Sequence, residues 1–148
     1  MSWLDSATSL RHLVLSNAYR GQLGAKHASS LFDMQPQDLQ RTAKLIGDLD
    51  GLVRALLAAA PSTKPGQRQL RADFVAADAA LQVLRIAIAM DRPVDELVQA
   101  SRQALEVLRN AKAHASSARV DLATRQAIQL AGRLAQEVLA SFRAATVS

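Results

Sequence analysis

The sequence predicts an all-α fold, a helical bundle of about five helices, and three observations lead to it. The chain has 148 residues, the common size of one domain with a hydrophobic core of its own. Alanine and leucine dominate its apolar residues, and both are strong helix formers. Aromatic residues make up only 3% of the chain and β-branched residues are few, which disfavours strands. We therefore treat residues 1–148 as one helical domain.

A first helix is predicted from about Asp5 to Ser30, because apolar and small residues recur there at spacings of three and four. Gly21 and Gly24 weaken it locally. The predicted stripe consists of Ala7, Leu10, Val14, Ala18, Gly21, Ala25 and Ala28.

A second helix is predicted to begin at Pro36, since proline at the first helical position loses no hydrogen bond. Asp38 in its first turn suits the helix dipole, and Pro61 ends the helix. Residues 61–66 contain two prolines and a glycine and are predicted to form an internal loop. The predicted buried side of the helix consists of Leu39, Ala43, Ile46, Leu49, Val53, Leu56 and Ala60.

A third helix is predicted from roughly Gln67 to Met90, and its apolar arc is unusually wide. Besides the main stripe, Val83, Ile86, Ala87 and Ala89 are apolar, which leaves only a narrow polar strip. A helix of this kind is expected to be central, with neighbours on several sides, or to form a subunit interface. The main stripe consists of Leu70, Phe74, Ala77, Leu81, Leu84 and Ile88.

Pro93 predicts the start of a fourth helix, and Ser116 or Ser117 is a reasonable N-cap for a fifth. Neither proline nor glycine occurs between Pro93 and Gly132, so one long helix through the serines stays open as an alternative. The average length of helices in globular proteins favours a break.

Positive charge suggests acidic partners, since the net charge is +5 and the pI is near 10.4. The charge is spread along the chain without a run of like residues, and no aromatic residues interleave with it. Two groups are candidate contacts for nucleic acid or another anion. One is Lys64, Arg68 and Arg71, and the other is Arg102, Arg109, Lys112 and Arg119. The competing interpretation of both groups is an ordinary solvated helix surface.

A possible partner interface is predicted at Trp3, Leu4, Tyr19 and Phe32. The alternative is that Trp3 and Leu4 close one end of the bundle.

The sequence contains no recognisable catalytic or metal-binding pattern. The chain has no cysteine, and none of its three glutamates stands three residues before one of its three histidines, as a di-iron bundle requires. Asp48 with Asp50, and Asp73 with Asp78, are poorly aligned for shared acid–base work and are expected to be solvated. We predict neither a cofactor nor a catalytic residue. A site that only the fold assembles, from residues such as His27, Asp78 and Arg85, stays open.

Location is predicted to be cytoplasmic and unconnected with membranes. No window approaches 18 uncharged apolar residues, no basic and apolar leader begins the chain, and the lack of cysteine suits a reducing compartment. The leading functional hypothesis is a non-enzymatic helical interaction or adaptor subunit, with a protein partner or self-association. The alternative is a small basic subunit that binds the nucleic-acid backbone without sequence preference.

Overall fold

Four long helices follow one another in the computed structural model, which describes residues 34–147. Within that range the all-α prediction is confirmed, and no strand is present. About five helices were expected, and the predicted first helix, Asp5 to Ser30, lies outside the described residues. The four helices are α1 (Pro36–Ala59), α2 (Pro65–Ala89), α3 (Val94–Ser117) and α4 (Leu122–Val147).

The helices form an antiparallel bundle in which each packs on the next and α4 returns to α1. The connections are only four or five residues long, which forces consecutive helices to run in opposite directions. Helix α2 packs more extensively on α3 than on α1, and it lies diagonally across from α4. We call the end where α1 and α3 begin the A end, and the opposite end the B end.

The core runs along the bundle axis as three successive clusters of buried side chains. The A-end cluster contains Leu84 and Phe142, the middle cluster contains Leu81 and Leu108, and the B-end cluster is built around Phe74. All five are at most 1% exposed. Burying a side chain of this size stabilises the fold by roughly 1.5–3 kcal/mol, so these clusters hold the four helices together.

The last two predicted helices are separate, so the single long helix is wrong. Helix α3 ends at Ser117, and Arg119 adopts a left-handed backbone conformation with φ of 53° that reverses the chain. The predicted serine caps lie instead in the last turn of α3. Asp121 caps α4, because its Oδ1 accepts a hydrogen bond from the backbone N–H of Thr124 at 3.0 Å.

The loop between α1 and α2 is shorter than the predicted 61–66. Pro65 and Gly66 form the first turn of α2, and the backbone N–H of Lys64 donates to Gln67 Oε1 at 3.2 Å. Gly66 allows a close approach at the B end, since a Cβ there would lie 3.4 Å from the Cα of Ala118. The glycine thus serves helix packing.

The turn after α2 is closed by two backbone hydrogen bonds. The N–H of Arg92 donates to the Ala87 carbonyl at 2.9 Å, and that of Asp91 to the Ile88 carbonyl at 3.1 Å. These two bonds form a Schellman motif, the common end of an α-helix. Asp91 has φ of 53° and occupies the position that glycine usually takes in it. Among the described residues, no helix is long and apolar enough to cross a membrane.

Candidate interaction surfaces

The exposed side of α2 is apolar along most of its length. Val75 is 50% exposed, Val83 58%, Ile86 57% and Met90 64%. Exposed alanines lie between these large side chains. We call this surface the α2 face; it consists of Ala72, Val75, Ala76, Ala79, Val83, Ile86 and Met90.

The α2 face has the periodicity of a helix-packing seam. Ala72, Ala79 and Ile86 are seven residues apart, and so are Val83 and Met90. Repeats of seven keep side chains on one line where two helices pack side by side. The wide apolar arc predicted for this helix is therefore real, but among residues 34–147 the surrounding helices bury only one side of it.

A second surface is the basic groove between α3 and α4. Arg109 and Lys112 from α3 line it together with Arg133 and Gly132 from α4. The groove has a volume of about 330 Å³, and its floor includes Leu108 and Ile128. Arg109 and Lys112 were predicted candidates, whereas Arg133 was missed, because only the fold brings α4 against α3.

The other members of the predicted α3 group lie apart from this groove. Arg102 is exposed two turns before Arg109, on the same side of α3. The sequence predicts Arg119 on the same side only if the helix continues through it. Helix α3 ends at Ser117, so this prediction is wrong. Arg119 follows the end of α3 and lines a cavity at the B end instead.

The predicted basic cluster at the start of α2 is exposed, but only part of it is available to a ligand. Arg71 Nη1 donates to the carbonyl of Leu57 at 3.0 Å and so ties α2 to α1. Lys64 immediately precedes the helix. Arg68 is exposed and follows the line of the α2 face toward the B end.

Two buried carboxylates form side-chain contacts with neighbouring helices, and neither contact was predicted. His114 Nδ1 on α3 lies 2.5 Å from Asp73 Oδ2 on α2. Arg85 Nη1 on α2 lies 3.1 Å from Asp50 Oδ2 on α1, and Arg54 Nε approaches the same oxygen at 3.4 Å. Asp50 and Asp73 were expected to be solvated, yet they are only 5% and 8% exposed.

These polar groups do not build a catalytic centre among the described residues. Arg85 is held by Asp50, while Asp78 Oδ1 is buried and has no hydrogen-bond partner among residues 34–147. His27, the third member of the suggested constellation, lies outside the described residues, as does His12. No group of three potential metal ligands occurs in the described part of the chain.

The B-end cavity has a volume of about 370 Å³ and is mainly apolar. Leu56, Leu70 and Phe74 line it, and Arg119 and Asp121 lie among its polar lining residues. Asp121 is already engaged as the cap of α4, so this cavity offers no free acid–base pair.

The predicted partner residues Trp3, Leu4, Tyr19 and Phe32 lie outside the described residues. Comparison with protein-family models, with curated proteins and with solved structures finds no match to this chain.

Proposed function

We propose that this protein is a non-enzymatic interaction subunit that docks a partner helix on the α2 face. The observation behind this proposal is the continuous line of large, half-exposed apolar side chains, Val75, Val83, Ile86 and Met90, on one helix. Single exposed apolar residues are ordinary on protein surfaces, whereas contiguous patches of several hundred Å² often mark binding sites.

Covering this surface contributes favourable free energy to association. Covering the remaining exposed half of a valine, isoleucine or methionine side chain is worth about 1 kcal/mol. Four such side chains give several kcal/mol, before the entropic cost of association is subtracted. The seven-residue periodicity favours a helix as the occupant. The cysteine-free composition favours a reducing compartment such as the cytoplasm.

The test compares Ile86→Glu with Leu122→Glu. Leu122 is 68% exposed on α4, diagonally across the bundle, so the two substitutions make the same chemical change on different surfaces. We expect wild type and Leu122→Glu to associate with themselves or to retain a partner on an affinity resin, and Ile86→Glu to lose that association. Light scattering after size-exclusion chromatography gives the mass over a concentration series. A strict monomer without a retained partner would contradict the proposal.

A second candidate function is nucleic-acid backbone binding by the basic groove. The observation that favours it is the convergence of Arg109, Lys112 and Arg133 from two helices. Three cations on one surface can contact backbone phosphates, and such contacts are sequence-blind and salt-dependent.

Fluorescence anisotropy with duplex and single-stranded probes over a salt series tests this candidate. Arg133→Glu should weaken binding about equally for all sequences and reduce the salt dependence. Arg41→Glu, an exposed residue of α1, changes the net charge equally and should have little effect. Absence of binding at low salt would exclude this function.

A further inference from the structure

We propose that the occupant of the α2 face is a second copy of this chain, with the two α2 helices packed antiparallel about a two-fold axis near Ala79. This inference rests on the proposed docking function of the α2 face and names the partner. In such a pair, each Val75 would approach the Val83 and Ile86 region of the other copy. The alanines near the axis would let the two backbones come close.

Charge at the two ends of α2 favours the antiparallel orientation. Arg68 is exposed near the start of the helix, and Asp91 is exposed just after its end. The point midway between them along the chain lies next to Ala79, so a two-fold axis there places Arg68 of one copy near Asp91 of the other. A parallel pair would instead bring like charges together at each end.

Neither Arg68 nor Asp91 forms an ion pair among residues 34–147. Arg92, the cation next to Asp91, is already occupied, since its Nε and Nη2 each lie 2.7 Å from an oxygen of Glu96. Asp91 is exposed, but partial desolvation raises the pKa of its carboxyl. A second copy would supply Asp91 with a cation.

The area of the surface sets the expected strength. The exposed parts of the four large side chains amount to about 400 Å², on the order of the largest apolar patches of monomeric proteins. A standard stable interface buries about 800 Å² on each partner. We therefore expect a reversible dimer with a Kd on the order of 10 μM rather than an obligate one.

The predicted helix of residues 5–30 is a less suitable occupant. Its sequence stripe consists mainly of alanine and glycine, with Leu10 and Val14 as its larger members. That stripe offers few large side chains to the α2 face. Leu13, Tyr19 and Leu23 of the same segment lie off the stripe, and the experiments below distinguish this segment from a second copy as the occupant.

Cysteine cross-linking of the full chain tests the geometry, because the protein contains no cysteine of its own. Ala79→Cys places one thiol beside the proposed axis, within the Cα separation of about 4.4–6.8 Å that a disulfide spans. We expect oxidation to give a covalent dimer with Ala79→Cys and a monomer with the control Ala140→Cys, which replaces an exposed alanine of α4. If Ala79→Cys stayed monomeric at concentrations well above the expected Kd, the inference would be overturned.

A charge swap tests the orientation. Arg68→Glu should raise the dimer Kd about tenfold, and Arg68→Glu combined with Asp91→Lys should restore most of the affinity. Analytical ultracentrifugation measures both. A swap that fails to restore the affinity would overturn the antiparallel arrangement.

Failure of this inference is distinguishable from failure of the proposed function. If the protein is a monomer that retains a different partner, and Ile86→Glu loses that partner, the proposed docking function stands. A second copy is then excluded as the occupant. A monomer without a partner, in which Ile86→Glu lowers the Tm far more than Leu122→Glu, shows that another part of the same chain covers the α2 face. That outcome overturns both proposals.

Discussion

His114 on α3 holds the Asp73 carboxylate of α2 through its Nδ1, at 2.5 Å from Oδ2. The Asp73 side chain is 11% exposed, whereas the imidazole is 43% exposed. The contact thus joins the most extensively packed pair of helices at a point where one partner is buried and the other reaches solvent. Its main effect is to satisfy a buried carboxylate.

His114→Ala should therefore destabilise the protein, because Asp73 stays buried and loses its closest hydrogen-bond partner. We expect the free energy of unfolding to fall by about 1–2 kcal/mol in urea denaturation. Gln69→Ala is the matched control, since Gln69 Nε2 lies 3.5 Å from Asp73 Oδ1, a weak contact with the same carboxylate. Equal losses for the two variants would mean that the His114 contact stabilises the protein no more than the weak Gln69 contact does.

The two arginines at Asp50 allow a similar comparison between α1 and α2. The side chain of Arg85 is 14% exposed and that of Arg54 58% exposed, yet both approach the same oxygen of a carboxylate that is nearly buried. We expect Arg85→Met to lower the free energy of unfolding by about 2 kcal/mol, because it leaves a buried charge poorly compensated. Arg54→Met should cost at most about 0.5 kcal/mol.

Chemical denaturation of Arg85→Met and Arg54→Met measures the free energy of unfolding that each variant loses. The methionine substitutions keep the apolar stem of each arginine, so the comparison isolates the guanidinium groups. A larger loss for Arg54→Met than for Arg85→Met would contradict the assignment of Asp50–Arg85 as the main ion pair between these helices.

Acid sensitivity is expected at the start of α4. Hydrogen bonds from the side chain and backbone N–H of Thr124 lower the pKa of Asp121 below its ordinary value of 3.8. A carboxyl whose pKa is lower in the folded state stabilises the protein above the unfolded value, and the stabilisation is lost as the pH falls through the folded value. The Tm should therefore drop below about pH 4, in part because of this residue.

Asp121→Asn separates titration from capping. Asparagine keeps an acceptor oxygen for the Thr124 N–H but has no proton to gain, so the Tm of this variant should depend less on pH between about 4 and 2 than that of wild type. Asp121→Ala removes the cap and should lower the Tm at every pH. If Asp121→Asn retained the full acid dependence, other carboxyls would account for it; Glu96 is one, because its hydrogen bond to Arg92 also lowers its pKa.

The helices could be predicted from the sequence because their signals are local. Pro36 stands at the first helical position, as predicted, and the apolar stripes recur within single helices. Pro65 also stands at a first helical position, but the sequence assigned it to the preceding loop. The contacts of the two buried carboxylates could not be predicted in this way, because their partners are 35 and 41 residues apart. One local hint was present: Asp50 and Asp73 occupy positions beside Leu49 and Phe74 on the inward stripes.

The two candidate surfaces also differ in how much of each could be predicted from the sequence. The width of the apolar arc of α2 is a property of one helix and was visible in the sequence, but which part of it stays exposed depends on the placement of its neighbours. Arg133 joins Arg109 only through the packing of α4 on α3. Arg119 illustrates the opposite error, since a helical spacing was extended through a residue that ends the helix.

Replacing Arg119 with glycine should stabilise the protein. Its left-handed φ of 53° costs a residue with a Cβ about 1 kcal/mol, which glycine does not incur. Greater freedom of glycine in the unfolded chain offsets part of the gain, so we expect a small Tm increase by calorimetry, about 1–2 °C. Ala118→Gly is the matched control in the same turn, because Ala118 has φ of −82°, so glycine there relieves no strain and brings the entropic loss together with the loss of a partly buried methyl group. Arg119→Gly should raise the Tm and Ala118→Gly should lower it; a decrease in both would show that the conformation of Arg119 is not strained.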